Sequence, residues 1–216
     1  MSNYTKGITA KKKILSTARR LFYEKGYTTV TIREIARDAQ MNLGLITYYF
    51  PGKDEIGLTV YLDIRTGFSV CVREIFPDLD GVRYFLIESA IELLLSIRNP
   101  KFGMFFLQMS GETSFKEKVN TIIVSTLLKY TVDKNISQRA LISSLSIMAT
   151  KPALIEYALK NPGKIDLDTY LEYYLEAQIY QFNMDKSLAK TILDDLHKYY
   201  IDVGDNFTPV MVKKSD

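Results

Sequence analysis

The sequence predicts an all-α protein of about nine or ten helices. Apolar residues recur at helical spacing along nearly the whole chain. Capping residues and Gly or Pro stops punctuate it, and no segment shows the strict alternation of a half-buried strand. Hydrophobic residues make up 47% and charged residues 25% of the 216 positions, the balance of a chain that folds rather than one that stays disordered.

The first helix is expected from Thr9 as N-cap, with Ile14, Leu15, Ala18, Leu21 and Phe22 on one face. Gly26 supplies a left-handed stop after Lys25. The second opens with Thr31-Ile-Arg-Glu34, a capping box in which Thr and Glu each satisfy the other's free amide, and its buried face is Ile32, Ile35 and Ala36. Asn42 is a good N-cap for a third, short helix closed by Phe50-Pro51-Gly52. These three are too small to bury much surface alone, so they should lean on a fourth helix from Lys53 to about Ile75, before Pro77. Further helices are expected near 81–98, 101–111, 114–131, 136–159, 167–182 and 185–202, with Pro152 kinking or dividing the 136–159 segment. The tail from Gly204 reads as loose, with Phe207 and Val210 to Val212 available for weak docking.

Charge is unevenly spread. Residues 1–53 hold ten Lys/Arg against three Asp/Glu, whereas the other 163 residues hold 18 against 22, so a part at +7 precedes one at −4 within a chain of net +3. A basic quarter on an acidic remainder suggests that the first part meets a polyanion, although a solvated charged face gives the same count. Its coincidence with two short helices joined by a tight turn favours nucleic acid, because such a pair can present its second helix to the major groove.

Several function classes find no support. No run of about 18 apolar residues is available for a membrane span, and the basic N-terminus lacks the apolar core of a signal peptide. The single cysteine, Cys71, cannot form an internal disulfide, which fits a reducing cytoplasm, and it reads as a small core residue. His197, the one histidine, reads as a surface or interface residue of the last helix. No Cys/His spacing suits zinc, no Gly-rich loop suits phosphates and no G-x-S-x-G elbow is present, so no catalytic residue, cofactor or metal is expected.

Residues 9–58 resemble the DNA-binding domain of the TetR family of bacterial transcriptional regulators. The matching residues are the Ala18-to-Phe22 helix, Glu24-Lys-Gly-Tyr27, Thr31-Ile-x-Glu-Ile-Ala36, Gly44-Leu-Ile, Tyr48-Tyr-Phe50 and Lys53-Asp-Glu55. The resemblance covers about a quarter of the chain. It implies a helix-turn-helix domain over residues 1–53 and a helical effector-binding and dimerisation domain over 54–216. It further implies a homodimer on palindromic operator DNA, usually a repressor, released by a small-molecule effector.

Taken residue by residue, helix starts at Thr31, Asn42 and Lys53 offer free amides to phosphate. Lys53 meets its helix dipole unfavourably, which a nearby phosphate would explain. On the third helix, Gly44 lets the backbone approach DNA, and Leu43 and Thr47 lie one turn apart with methyl groups suited to thymine. Arg33 suits guanine. The resemblance implies base contacts at Arg33, Leu43, Gly44 and Thr47, and phosphate contacts at Tyr48, Tyr49 and Lys53. Leu45 belongs to the same candidate surface, although Leu45, Ile46 and Phe50 equally suit the core, as does one of Tyr48 and Tyr49. The Lys11–Lys13 run suits either a neighbouring groove or solvent. Three residues depart from the family pattern: Gln40 stands where many relatives have Gly, Leu43 replaces a polar or basic residue, and Thr47 replaces a frequent Tyr.

The rest of the chain carries a weaker signal. Phe85, Glu88, Glu92, Phe102, Phe105 and Met109 are candidates for an effector pocket in which a buried carboxylate would favour a cation. The same aromatics at helical spacing also make plain core, and the two glutamates one turn apart also make a wet face. The 136–159 segment and the two helices after it are candidates for the dimer surface. The alternatives are a DNA-binding protein without an effector, for which an enclosed cavity should be missing, and an all-helical enzyme with an incidental basic N-terminus.

Overall fold

The computed structural model describes residues 3–130, 136–164 and 166–206, and within them the chain forms ten helices and no strand. The expected docking of Phe207 and Val210 to Val212 lies outside the described residues.

Helix α1 spans Asn3–Lys25. The expected N-cap at Thr9 is corrected, since the helix runs through Thr9 from six residues upstream, where no proline interrupts it. Gly26 ends it at φ +84°, with its amide donating to the Phe22 carbonyl at 3.0 Å. Helix α2 spans Ile32–Asp38, and Thr31 Oγ1 accepts from the Glu34 amide at 3.2 Å. The Glu34 carboxylate is held below its ordinary pKa, first by its hydrogen bond from Lys25. Helix α3 spans Leu43–Tyr49, capped by Asn42 Oδ1 accepting from the Gly44 amide at 2.8 Å.

The turn between α2 and α3 places Gln40 at φ +50°, in the left-handed region that costs a side-chain-bearing residue about 1–2 kcal/mol. Gly there would forfeit about 0.5–1 kcal/mol of that gain to unfolded-chain entropy. Gln40→Gly is therefore expected to stabilise the protein by about 0.5 kcal/mol and Gln40→Val to destabilise it. Urea denaturation of both variants checks this, and an unchanged midpoint for Gln40→Val would show that the turn relaxes instead.

The remaining helices are α4 (Lys53–Ile75), α5 (Gly81–Arg98), α6 (Pro100–Ser110), α7 (Thr113–Tyr130), α8 (Ile136–Lys160), α9 (Leu167–Gln181) and α10 (Ser187–Asn206). Pro152 does not divide α8, which is continuous across it. Its missing amide instead leaves the Met148 carbonyl without its helical partner. Helix α5 is central, with every residue from Phe85 to Ser96 buried, because FLIESAIELLLS is apolar nearly all round. Cys71 is half-buried rather than core, and exposed His197 pairs with Asp168 at 2.9 Å between α10 and α9. No helix among the described residues is long and apolar enough to cross a membrane.

The first three helices lean on α4 and also on α6. Phe105 of α6 stacks on Phe22 at 5.8 Å between centroids and meets Tyr27 edge-on at 6.4 Å. Gly57 of α4 permits the approach, since a Cβ there would lie 2.6 Å from Met109 Sδ and 2.8 Å from the Tyr27 ring. Gln108 Oε1 accepts from the Thr28 amide at 3.2 Å. Burial first and the nearby Glu112 carboxylate second raise the Tyr27 phenol pKa.

Candidate nucleic-acid interface and ligand cavity

Helix α3 divides cleanly into two faces. Ile46 and the capping Phe50 are buried, whereas Leu43, Gly44, Leu45, Thr47 and Tyr48 are exposed, Tyr48 at 79%. Leu45 is thereby corrected as a core residue, because it lies off the stripe that Ile46 presents to α1 and α2. It is 39% exposed and Leu43 38%. Thr47 donates its hydroxyl proton to the helix carbonyls of Leu43 (3.3 Å) and Gly44 (3.1 Å), leaving its oxygen as an acceptor. Tyr49 is half-buried, with the Lys11 ammonium 5.5 Å from its ring centroid and Tyr48 edge-on at 5.2 Å. One of the two tyrosines is thus packed against α1 and the other stands free of it.

The cations around this face sort themselves by partner. Glu24, Glu34 and Asp38, all the acids of residues 1–53, are engaged by Arg20, Lys25 and Arg37. Arg33 is exposed with no carboxylate partner among the described residues, and so are Lys12 and Lys13. Lys53 behaves differently from expectation. Its ammonium donates to the carbonyls of Tyr27 (3.1 Å) and Thr28 (3.4 Å) and sits 4.4 Å from the Tyr27 ring centroid. A lysine at this helix start is thus explained by the loop it ties down, without a phosphate. Thr31 and Asn42 are spent as caps through their side chains and remain at the surface.

The second feature is a cavity of about 250 Å³ among α4 to α8. Its walls are apolar, with Phe106, Phe115 and Ile147 prominent, and its floor holds two buried ion pairs. Glu92 accepts from Tyr61 Oη at 2.7 Å and pairs with Lys151; Glu88 pairs with Arg65 at 3.1 Å and also accepts from Ser69. Burial alone would raise the Glu92 pKa, but Lys151 and Arg65 together pull it below its ordinary value. Burial opposes the charge on Lys151 as well, and Glu92 reverses that, leaving its pKa raised.

Half of the residues expected in a pocket line this one. Phe85, Glu88 and Glu92 do; Phe102, Phe105 and Met109 do not. The latter three are corrected to core, fully buried against Phe68, Phe22 and the Gly57 surface respectively. They share α6 with Phe106 but point from its other side. The carboxylates are not a cation site either, because Arg65 and Lys151 already compensate them. Nor do they share a wet face. Sequence reasoning missed Tyr61, Arg65 and Lys151. One signal was available: Tyr61 and Arg65 have the same one-turn spacing as Glu88 and Glu92, so two helices carry matched pairs.

Residues 14–58, which hold the second half of α1, all of α2 and α3 and the start of α4, match the sequence model of bacterial regulatory proteins, tetR family. Those residues form a domain of the TetR family. Its relatives include the HTH-type transcriptional regulator HbdR of Aromatoleum sp. (strain CIB), 38% identical over 72 residues that make up 33% of this chain and 30% of HbdR. The probable HTH-type transcriptional regulator YttP of Bacillus subtilis (strain 168) is 36% identical over 62 residues, 29% of this chain and 30% of YttP. The matched stretch thus spans about a third of these relatives' length. Among solved structures, RolR in complex with resorcinol superposes with a TM-score of 0.62 at 18% identity, covering 88% of this chain and 96% of that one. SmeT of Stenotrophomonas maltophilia gives 0.51 at 15% identity, over 79% and 88%. The likeness to these two structures therefore extends in fold, though not in sequence, over most of the chain.

Proposed function

We propose that this chain is a ligand-responsive transcriptional repressor of the TetR family that binds operator DNA as a homodimer. The observation that carries this is the exposed face of α3, flanked by Arg33 and a lysine run left without carboxylates. Residues 1–53 are its DNA-reading part and 54–216 its effector and dimer part. Arg33, Leu43, Gly44, Leu45 and Thr47 face bases; Thr31, Asn42, Tyr48 and Tyr49 meet phosphates. Lys53 acts on DNA by holding the Tyr27–Thr28 loop as much as by its charge. The cavity supports an effector site, and the RolR and SmeT structures hold resorcinol and triclosan in a similar fold.

Dimerisation is supported by exposed apolar stripes. Leu141, Leu145, Ala149, Ala153 and Tyr157 recur every fourth residue along α8, and Tyr173, Ala177 and Tyr180 follow at spacings of four and three on α9. Two such stripes self-complement about a two-fold axis and set two α3 helices on one palindrome.

Fluorescence anisotropy on the chain's own upstream region tests the reading. Two chains should bind per site, and Thr47→Ala should change sequence preference by about 1 kcal/mol or more at a single base pair. Tyr48→Phe should weaken all sequences alike, and Lys12→Ala with Lys13→Ala should flatten the salt dependence. Salt-independent binding, or none, would overturn the DNA assignment.

A further inference from the structure

The cavity has a neighbour. A second, more open hollow of about 560 Å³ lies where the end of α4, the start of α5 and the end of α7 meet, and Arg65, Phe85 and Glu88 line both. The Arg65–Glu88 ion pair and the Phe85 ring are thus the partition between an inner chamber and an outer vestibule.

The two spaces differ in charge. In the inner chamber the buried ions are matched, Glu92 with Lys151 and Glu88 with Arg65, and both oxygens of each carboxylate have a donor; the further cation of its lining, Lys116, is exposed. A charged guest there would have to break a buried pair, which is strongly unfavourable, so the chamber suits an uncharged apolar body. Its volume exceeds the roughly 150 Å³ that holds a benzene ring, leaving space for a ring and a few further carbons. The vestibule, by contrast, is lined by Arg65, Arg73 and Lys129 with Glu88 as the one acid in its lining. Arg73 lies with its guanidinium carbon 5.0 Å from the Tyr84 ring centroid, which holds the cation at the vestibule wall.

We propose that chamber and vestibule form one site for an amphipathic organic anion, its apolar ring or chain in the chamber and its acid group in the vestibule beside Arg73 and Arg65. This deepens the effector reading above and rests on it. A bound anion would add a second acceptor beside Arg65, so the ion pair between α4 and α5 is the contact that such a ligand meets. Because α4 begins at Lys53 under the Tyr27–Thr28 loop, that helix connects the pair to the DNA-reading part.

Isothermal titration calorimetry on the full chain, without DNA, tests this with three compounds of one body: 4-phenylbutyrate, 4-phenylbutanol and 4-phenylbutylamine. The acid should bind about tenfold or more tightly than the alcohol, and the amine more weakly than either. Arg73→Gln, an exposed position outside the core, should bring the acid close to the alcohol, whereas Phe106→Ala should weaken acid and alcohol together. Equal affinity for amine and acid, no effect of Arg73→Gln, or no heat from any of the three would overturn the proposal. Operator binding measured without added compound reports separately on the regulator reading, so the two failures are distinguishable.

Discussion

Lys151→Met is expected to cost about 3–5 kcal/mol of folding stability, because it leaves the Glu92 carboxylate buried without its ammonium partner. The pH dependence identifies the cause. In the native protein the Glu92 pKa is depressed, so its stabilisation is present above the unfolded carboxylate value of about 4.3 and is lost as pH falls through the lower folded value. In the variant, burial remains while the main attraction is gone, so the folded pKa moves up. The penalty is then full at neutral pH and shrinks as acid protonates Glu92. Urea titrations at pH 7.5 and 4.5 should show a smaller difference between variant and parent at the lower pH. An equal difference at both would mean that lost packing, not the stranded carboxylate, carries the effect. Adding Glu92→Gln to Lys151→Met should recover part of the loss, since a neutral amide is cheaper to bury than a charge.

Phe105→Ala is expected to destabilise the protein by about 3–5 kcal/mol, the range for a fully buried phenylalanine replaced by alanine. Its ring is the wedge between α6 and the first three helices, resting on Phe22 and Tyr27. Amide exchange should therefore quicken most in α1 to α3, which lack a large core of their own, and least in α5, which is buried on all sides. Uniform acceleration throughout would show that the first three helices and the remainder open as one unit. The nearby Gln108–Thr28 hydrogen bond makes this the second mechanical link to the first three helices, besides α4.

These results separate what a one-dimensional pattern carries from what it cannot. Helix positions were legible almost throughout: α4 from Lys53 to Ile75, the Thr31 capping box and the Asn42 cap all follow from side chains that act on their own backbone within a few residues. Thr9 failed as a cap because a good cap residue also tolerates a helix interior, and nothing upstream stops α1. Gln40 was legible as a departure, and its positive φ is the physical content of that departure.

The candidate sites divide along the same line. Which residues of α3 face outward follows from helical period, with Ile46 inward and Leu43, Thr47 and Tyr48 outward, although Leu45 shows that the boundary of the buried stripe is set by the neighbours it meets. Among the later helices, α6 carries aromatics so densely that period alone cannot say which side meets a cavity. Phe106 faces it while Phe102 and Phe105 fill the core. Glu88 and Glu92 looked like a site for a cation because their partners, Arg65 on α4 and Lys151 on α8, are distant in sequence.

The sequence by itself determined an all-helical chain, its basic helix-turn-helix end and the TetR-type resemblance of that end, because those depend on local capping, period and fixed spacing. The tertiary structure decided that the buried glutamates are already paired, that Lys53 holds a loop, and that two hollows share the Arg65–Glu88 wall. Those are properties of residues brought together from far along the chain, and charge compensation and cavity shape exist only once the helices have packed.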